Sequence, residues 1–186
     1  VQTCALPIYV TAAHRKYFEV GADIVETNSF GASLVGVEEF DLRAEVVREI
    51  NREAVRCARR AADEFSRKTP GQPRFVAGSI GPTAKQMSIS TNAEDAGARG
   101  VEFSTMEESY YQQVAGLLEG GVDLLLVETV VDTLNLKAAL VAIARCFEDH
   151  GVRVPVIASG AFNEGGVTFV SSQSVEAFLY AVSHFP

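Results

Sequence analysis

The chain has 186 residues, 47% hydrophobic, 22% charged and 9% aromatic, which excludes a disordered chain and supplies apolar material for one core. A net charge of −8, with no Lys/Arg cluster larger than pieces such as Arg59-Arg60, argues against a surface that tracks phosphates, so no nucleic acid is expected as a partner. The apolar runs are too short to span a bilayer and the N-terminus lacks the basic-then-apolar layout of a signal peptide, so no membrane is expected and the cytoplasm is the expected location.

In chain order, the opening VQTCALPI fits neither a helix nor a strand, and residues 1–8 are set apart from a domain spanning 9–186. A helix pattern over 11–20 runs into Gly21 and the strand ADIVET at 22–27. A long helix pattern from 38 to about 67 stops before TPGQP and the strand RFVAGSI at 74–80. A polar loop continues to about 102. A helix over 103–119, the Gly120-Gly121 stop and the strand DLLLVET at 123–129 follow. The helix 133–149 and Gly151 lead to the strand VPVIASGAF at 154–162, and a helix over 174–184 closes the series.

Buried strands that alternate with helices ending at Gly predict parallel strands covered by helices, an α/β fold. A doubly wound nucleotide-binding sheet would carry a GxGxxG turn after its first strand, and the strand ends here read ETNSFGA, GSIGPT, ETVVDT and SGAFNE. Polar residues at the C-terminal end of every strand suit a barrel, whose active site is built there. A complete (β/α)8 TIM barrel needs roughly 250 residues and eight strands, so four strands are expected to form part of one. Left open on one side, such a sheet is expected to aggregate or associate.

The almost unbroken apolar run from Val122 to Val131 carries Glu128 near its far end. A carboxylate without a partner is expensive to bury, so Glu128 belongs at the strand mouth, facing something positive or polar. Glu26 ends the first strand in the same way, and two such acids point to a shared polar pocket, with Glu128 ranked first. SIGPT is read either as a simple turn at Gly81-Pro82 or as a loop whose N–H groups, Ser79 and Thr83 hold a carboxylate. Ser159-Gly160 is read as close approach to a ligand or as tight packing, and Asn28 as a ligand contact or a loop bond. Asp132 or Thr133 caps the following helix. Cys4, Cys57 and Cys146, like His14, His150 and His184, are too scattered for a disulfide framework or a local zinc knuckle.

IVETNSFGA (24–32), VAGSIGPT (76–83), VDLLLVETVVDTLNLKAAL (122–140) and VPVIASGAF (154–162), in this order and spacing, resemble the homocysteine S-methyltransferase domain, in particular the branch found in cobalamin-dependent methionine synthases. The resemblance covers about residues 9–184 and implies a zinc-dependent barrel that methylates homocysteine to methionine, of which this chain holds roughly strands 2 to 5. It implies that Glu128 takes the ammonium of homocysteine. Ser79, Gly81 and Thr83 then hold the amino-acid end, and Glu26, Thr27, Asn28 and Ser159 line the floor. Zinc would be bound by three cysteines expected beyond Pro186. Cys57 and Cys146, in outer helices, do not replace them, so no catalytic or metal-ligating residue is assigned here and residues 1–186 alone are expected to be inactive. Methylcobalamin, on a separate cobalamin-carrying domain of the same full-length protein, is the implied methyl donor. The loop GGVTFVSSQ (165–173) departs from the family's GRTLSGQ-like loop. Two other readings stand beside this one: a non-catalytic module built on a partial barrel that binds a small amine or assembles with another chain, and a different barrel enzyme that handles methyl groups or decarboxylates.

Overall fold

The structure, a computed structural model, describes residues 6–185. Its elements are α1 (Leu6–Glu19), β1 (Ile24–Glu26), α2 (Ala44–Lys68), β2 (Phe75–Ile80), α3 (Phe103–Gly120), β3 (Leu124–Val130), α4 (Thr133–His150), β4 (Val156–Gly160) and α5 (Val175–Val182). The four strands form one parallel sheet in the order β1-β2-β3-β4. Each strand therefore lies beside its predecessor in the chain. A doubly wound sheet reverses its strand order at a switch point, whereas a barrel does not, and the order here is that of a barrel arc.

Two elements depart from the sequence reading. Residues 6–8 form the first turn of α1, where Pro7 is tolerated because the N–H it lacks would have no helical partner; residues 1–5 lie outside the described residues. The helix expected from 38 is broken: Glu38–Phe40 make a single 3-10 turn, and Asp41 takes a left-handed conformation at φ 48°. Asp tolerates that region better than most residues. α2 then starts after Arg43, whose extended backbone caps it.

The shared Gly-x-Asp opening of β1 and β3 has a structural explanation at the N-terminal ends of the strands. Asp123 Oδ2 accepts from the Val76 N–H at 2.7 Å and from Arg59 of α2 at 2.6 Å, tying β2, β3 and α2 together. Asp23 Oδ1 accepts from Gln72 at 2.9 Å and from Arg74 at 3.4 Å. Gly121 and Gly151, at φ 86° and 63°, end α3 and α4 in the left-handed conformation that glycine adopts without a side-chain clash.

The core lies between the helices and one face of the sheet. Val25, Val76, Ile80, Leu125, Val127 and Val130 pack there against Val55, Val114, Leu117, Ala139 and Ile143. Strand side chains alternate between faces, so Ile24, Phe75 and Ile157 point the other way and are 47%, 40% and 47% exposed. That face has no helix over it among the described residues, and β1 and β4 each have one free edge. Residues 1–186 expressed alone are expected to self-associate through this face. Light scattering across a dilution series should show a mass that rises with concentration, and Phe75→Glu should shift it toward the monomer. A concentration-independent monomer would show that the face is covered in solution.

Candidate functional site at the strand ends

Because the strands are parallel and in register, their C-terminal ends form one rim. Glu26 ends β1, Ser79 is the next-to-last residue of β2, Glu128 lies near the end of β3 and Ser159 near the end of β4. Ser79 Oγ donates to Glu128 Oε1 at 2.5 Å. Burial raises the Glu26 carboxyl above its ordinary value, and the negative charge of Glu128 adds to that rise, so the two acids sense one another. Neither belongs to an ion pair among the described residues, although thirteen such pairs occur elsewhere. The rim thus gathers negative charge with no cation paired to it among the described residues.

Below the rim a buried polar network sets the position of Ser79. Its N–H donates to Thr27 Oγ1 at 3.0 Å; Thr27 and Ser29 share a hydroxyl contact at 2.6 Å; Ser29 Oγ donates to the Ser79 carbonyl at 2.8 Å. Gln113 of α3 completes the set by donating to the Ser29 carbonyl at 2.8 Å. These bonds hold Ser79 in place, while the buried Gln113 Oε1 has no partner among the described residues. Thr27 is therefore occupied within the protein, while Asn28 is exposed beside it and lines, with Glu26 and His14, a cleft between α1 and β1.

The SIGPT segment is likewise bonded internally. The Gly81 N–H donates to the Phe30 carbonyl at 2.9 Å, and its own carbonyl accepts from the Tyr110 hydroxyl at 3.4 Å. Burial, with the Asp132 charge second, raises the Tyr110 phenol above its ordinary value and keeps it a donor. A Cβ on Gly81 would lie 2.7 Å from both the Phe30 ring and the Phe30 carbonyl oxygen, so only glycine fits. Thr83 is buried, and its hydroxyl donates to the Lys85 carbonyl at 2.8 Å. Glu26, Ser79, Glu128 and Ser159 thus share the rim, with Asn28 at its margin; Gly81, just past the end of β2, lines a small cavity together with Glu128, while the hydroxyls of Thr27 and Thr83 are bonded within the protein.

A bulge in β3 aims Glu128. Val127 pairs with Ala158 and Val130 with Gly160, so Glu128 and Thr129 together oppose Ser159 alone. Strict alternation would put Glu128 and Val130 on one face. The extra residue separates them: Val130, 5% exposed, enters the core while Glu128 stays on the open side. Thr129 carries the distortion at φ 54°. A residue held in a sparsely populated backbone region costs about 1–3 kcal/mol.

Sequence reasoning identified Asp132 as one of two possible caps and missed its larger role. Its carboxylate caps α4 by accepting from the Leu134 N–H at 2.8 Å, and it also accepts from the Ser88 N–H at 2.8 Å and the Ser88 hydroxyl at 2.6 Å. Asn135 adds bonds to the Met87 N–H at 3.1 Å and the Lys85 carbonyl at 2.9 Å. The loop after β2 is thereby fastened to the N-terminus of α4. The 165–173 loop folds back beside it: Val170 and Ser171 N–H groups donate to the Val131 carbonyl, and Thr168 is fully buried.

No group of three or more His, Cys, Asp or Glu among the described residues could hold a metal ion. Cys57 and Cys146 are buried in α2 and α4, and burial pushes the Cys146 thiol up to about 12. No described helix is long and apolar enough to cross a membrane.

The profile of the homocysteine S-methyltransferase family matches residues 3–186. Three crystal structures of the homocysteine methyltransferase MmuM from Escherichia coli share the fold. The metallated form superposes with a TM-score of 0.73 at 20% identity over 95% of this chain, the oxidised form with 0.76 at 20% over 97%, and the apo form with 0.71 at 19% over 97%. In each case the match spans 59% of the MmuM chain. The fold and the rim thus define an α/β protein that forms a four-stranded arc of a TIM barrel, with its polar groups gathered at the strand ends. The chain belongs to the homocysteine S-methyltransferase family.

Proposed function

We propose that the protein carrying this chain transfers a methyl group to the thiol of homocysteine, giving methionine, and that the β1–β4 rim binds the amino-acid end of the substrate. One observation carries the reading: Glu128 and Glu26 stand together at the mouth of the strands with no ion-pair partner among the described residues, and Ser79 fixes the Glu128 carboxylate from one side. A primary ammonium supplies the missing charge and donates to the free carboxylate oxygen. Ser159 and Asn28 stand at the margin, where the rest of the amino acid would lie. Thr27, Gly81 and Thr83 serve the same site through the hydrogen bonds that hold Ser79 and the loop after it.

In the reaction the thiol loses its proton, a sulfur–carbon bond forms to the methyl group, and the donor keeps the electron pair of the bond that breaks. Methylcobalamin, presented by a cobalamin-carrying domain of the same full-length protein, is our proposed donor, on the resemblance of the VETVVDTLN block to the cobalamin-dependent branch. Zinc is proposed for the complete enzyme. The described residues do not fit it, since no three potential ligands converge and the Cys146 thiol is held protonated by burial, so no step is assigned to a metal here. Residues 1–186 alone are proposed to be inactive, and the cytoplasm is the proposed location.

Glu128 binds the ammonium in ground and transition states alike. Replacing it with Gln in the intact enzyme should raise the homocysteine KM by about 10- to 150-fold with kcat little changed, the equivalent of a charge-assisted hydrogen bond worth roughly 1.5–3 kcal/mol. Steady-state kinetics decides it. An unchanged KM would assign Glu128 to structure alone.

A further inference from the structure

Thr129 is strained at a position where a glycine would not be. Three non-glycine residues among those described have positive φ: Asp41, Ser172 and Thr129. Asp41 and Ser172 lie outside the regular strands and helices, whereas Thr129 lies within β3 and is β-branched, the kind of side chain for which this conformation is a genuine outlier. Glycine would complete the same bulge without strain. Local packing does not require the threonine side chain: Thr129 is exposed, and its hydroxyl has no hydrogen-bond partner among the described residues.

The bulge also changes where that side chain goes. Val127 and Val130 both pack against the helices, and Thr129 between them is exposed, which sets it outside the core, on the side of the sheet left open beside Glu128. An α-amino acid carries its carboxylate one carbon away from its ammonium. A ligand held by Glu128 would therefore bring an acceptor oxygen within reach of the adjacent residue, and the Thr129 hydroxyl is a free donor there.

We propose that Thr129 is a substrate-contacting specificity residue, whose hydroxyl donates to the α-carboxylate of the amino acid that Glu128 holds by its ammonium. The inference rests on the homocysteine-binding reading of the rim. It accounts for a strained β-branched residue at the mouth of β3: the strain persists because the side chain is presented to the ligand, the pattern expected of strained residues at functional sites.

The test compares Thr129→Gly and Thr129→Ser with the wild type and with Glu128→Gln in the intact enzyme, measuring KM and kcat for L-homocysteine together with Tm. Thr129→Gly should raise Tm by about 2–5 °C, because the strain is relieved, and should raise KM about five- to tenfold with kcat within about twofold. Thr129→Ser keeps the donor and should return KM to within about twofold of the wild type. A purely structural residue would not show greater stability with weaker binding, nor rescue by serine. A Thr129→Gly enzyme with unchanged KM, or a raised KM that serine does not restore, overturns the proposal. Glu128→Gln separates the two ideas: if it raises KM while Thr129→Gly does not, only the Thr129 contact falls. If Glu128→Gln leaves KM unchanged, the ammonium-binding reading fails, and the contact fails with it.

Discussion

Asp132→Ala is expected to destabilise the protein by about 3–5 kcal/mol, because it removes one buried carboxylate that accepts three hydrogen bonds at once. One of those bonds caps α4, where losing an Asp cap costs about 0.5–2 kcal/mol. The other two fasten Ser88, and without them its N–H, partly buried, has no acceptor. Asp132 is 1% exposed, so water does not readily take the carboxylate's place. Asp132→Asn keeps an oxygen that can cap Leu134 but has one acceptor fewer, and should lose about half as much. Urea denaturation gives the stability change. Hydrogen exchange supplies the diagnostic detail: the amides of Met87 and Ser88 should lose protection in Asp132→Ala before the helices do. A loss below about 1 kcal/mol, or unchanged protection at Ser88, would show that the loop is held by Asn135 and its neighbours instead.

Leu125→Ala should cost about 3–5 kcal/mol for a different reason. Leu125 is fully buried in β3, on the face that packs against the helices, and one of its methyl groups lies 3.1 Å from where a Cβ on Gly78 would be. Removing three carbons there loses transfer free energy and leaves a cavity that the flanking helices close only in part. Leu126, the next residue, faces the other side and is half-buried, so Leu126→Ala should cost only about 1 kcal/mol. The contrast between neighbours tests the assignment of the core to one face of the sheet. Equal losses at 125 and 126 would mean that both faces are packed.

The sequence carried the parallel α/β order because its signals are local. The glycine stops after α3 and α4, the apolar strand runs and the polar strand ends can each be read within a dozen residues, and the matching IVETNSFGA and VDLLLVETV segments put Glu26 and Glu128 at equivalent places. What it did not carry depends on distant contacts. Gly81 looks like a turn glycine until Phe30, 51 positions earlier, proves to fill the space where its side chain would stand. Asp132 looks like a simple helix cap until Ser88, 44 positions earlier, is found on its carboxylate. The bulge was hidden for another reason. Leu124–Val127 are all apolar and Val130-Val131 follow the polar pair Glu128-Thr129, so no alternation is visible and a one-residue shift at Thr129 leaves no trace in the pattern. The break at Asp41 was overlooked because the charged residues on either side of it continue a helical spacing.

The central claim is that Glu128 recognises a substrate ammonium, and the most direct test removes the amine from the substrate as well as the charge from the protein. L-Homocysteine and 4-mercaptobutanoate, which is the same thiol acid without its amino group, are compared in the wild type and in Glu128→Gln. The wild type should prefer homocysteine by about 10- to 150-fold in kcat/KM, and Glu128→Gln should reduce that preference to about threefold or less, because the interaction energy belongs to the pair. If Glu128→Gln still discriminates as strongly as the wild type, the ammonium is bound elsewhere and Glu128 is not the group that recognises it.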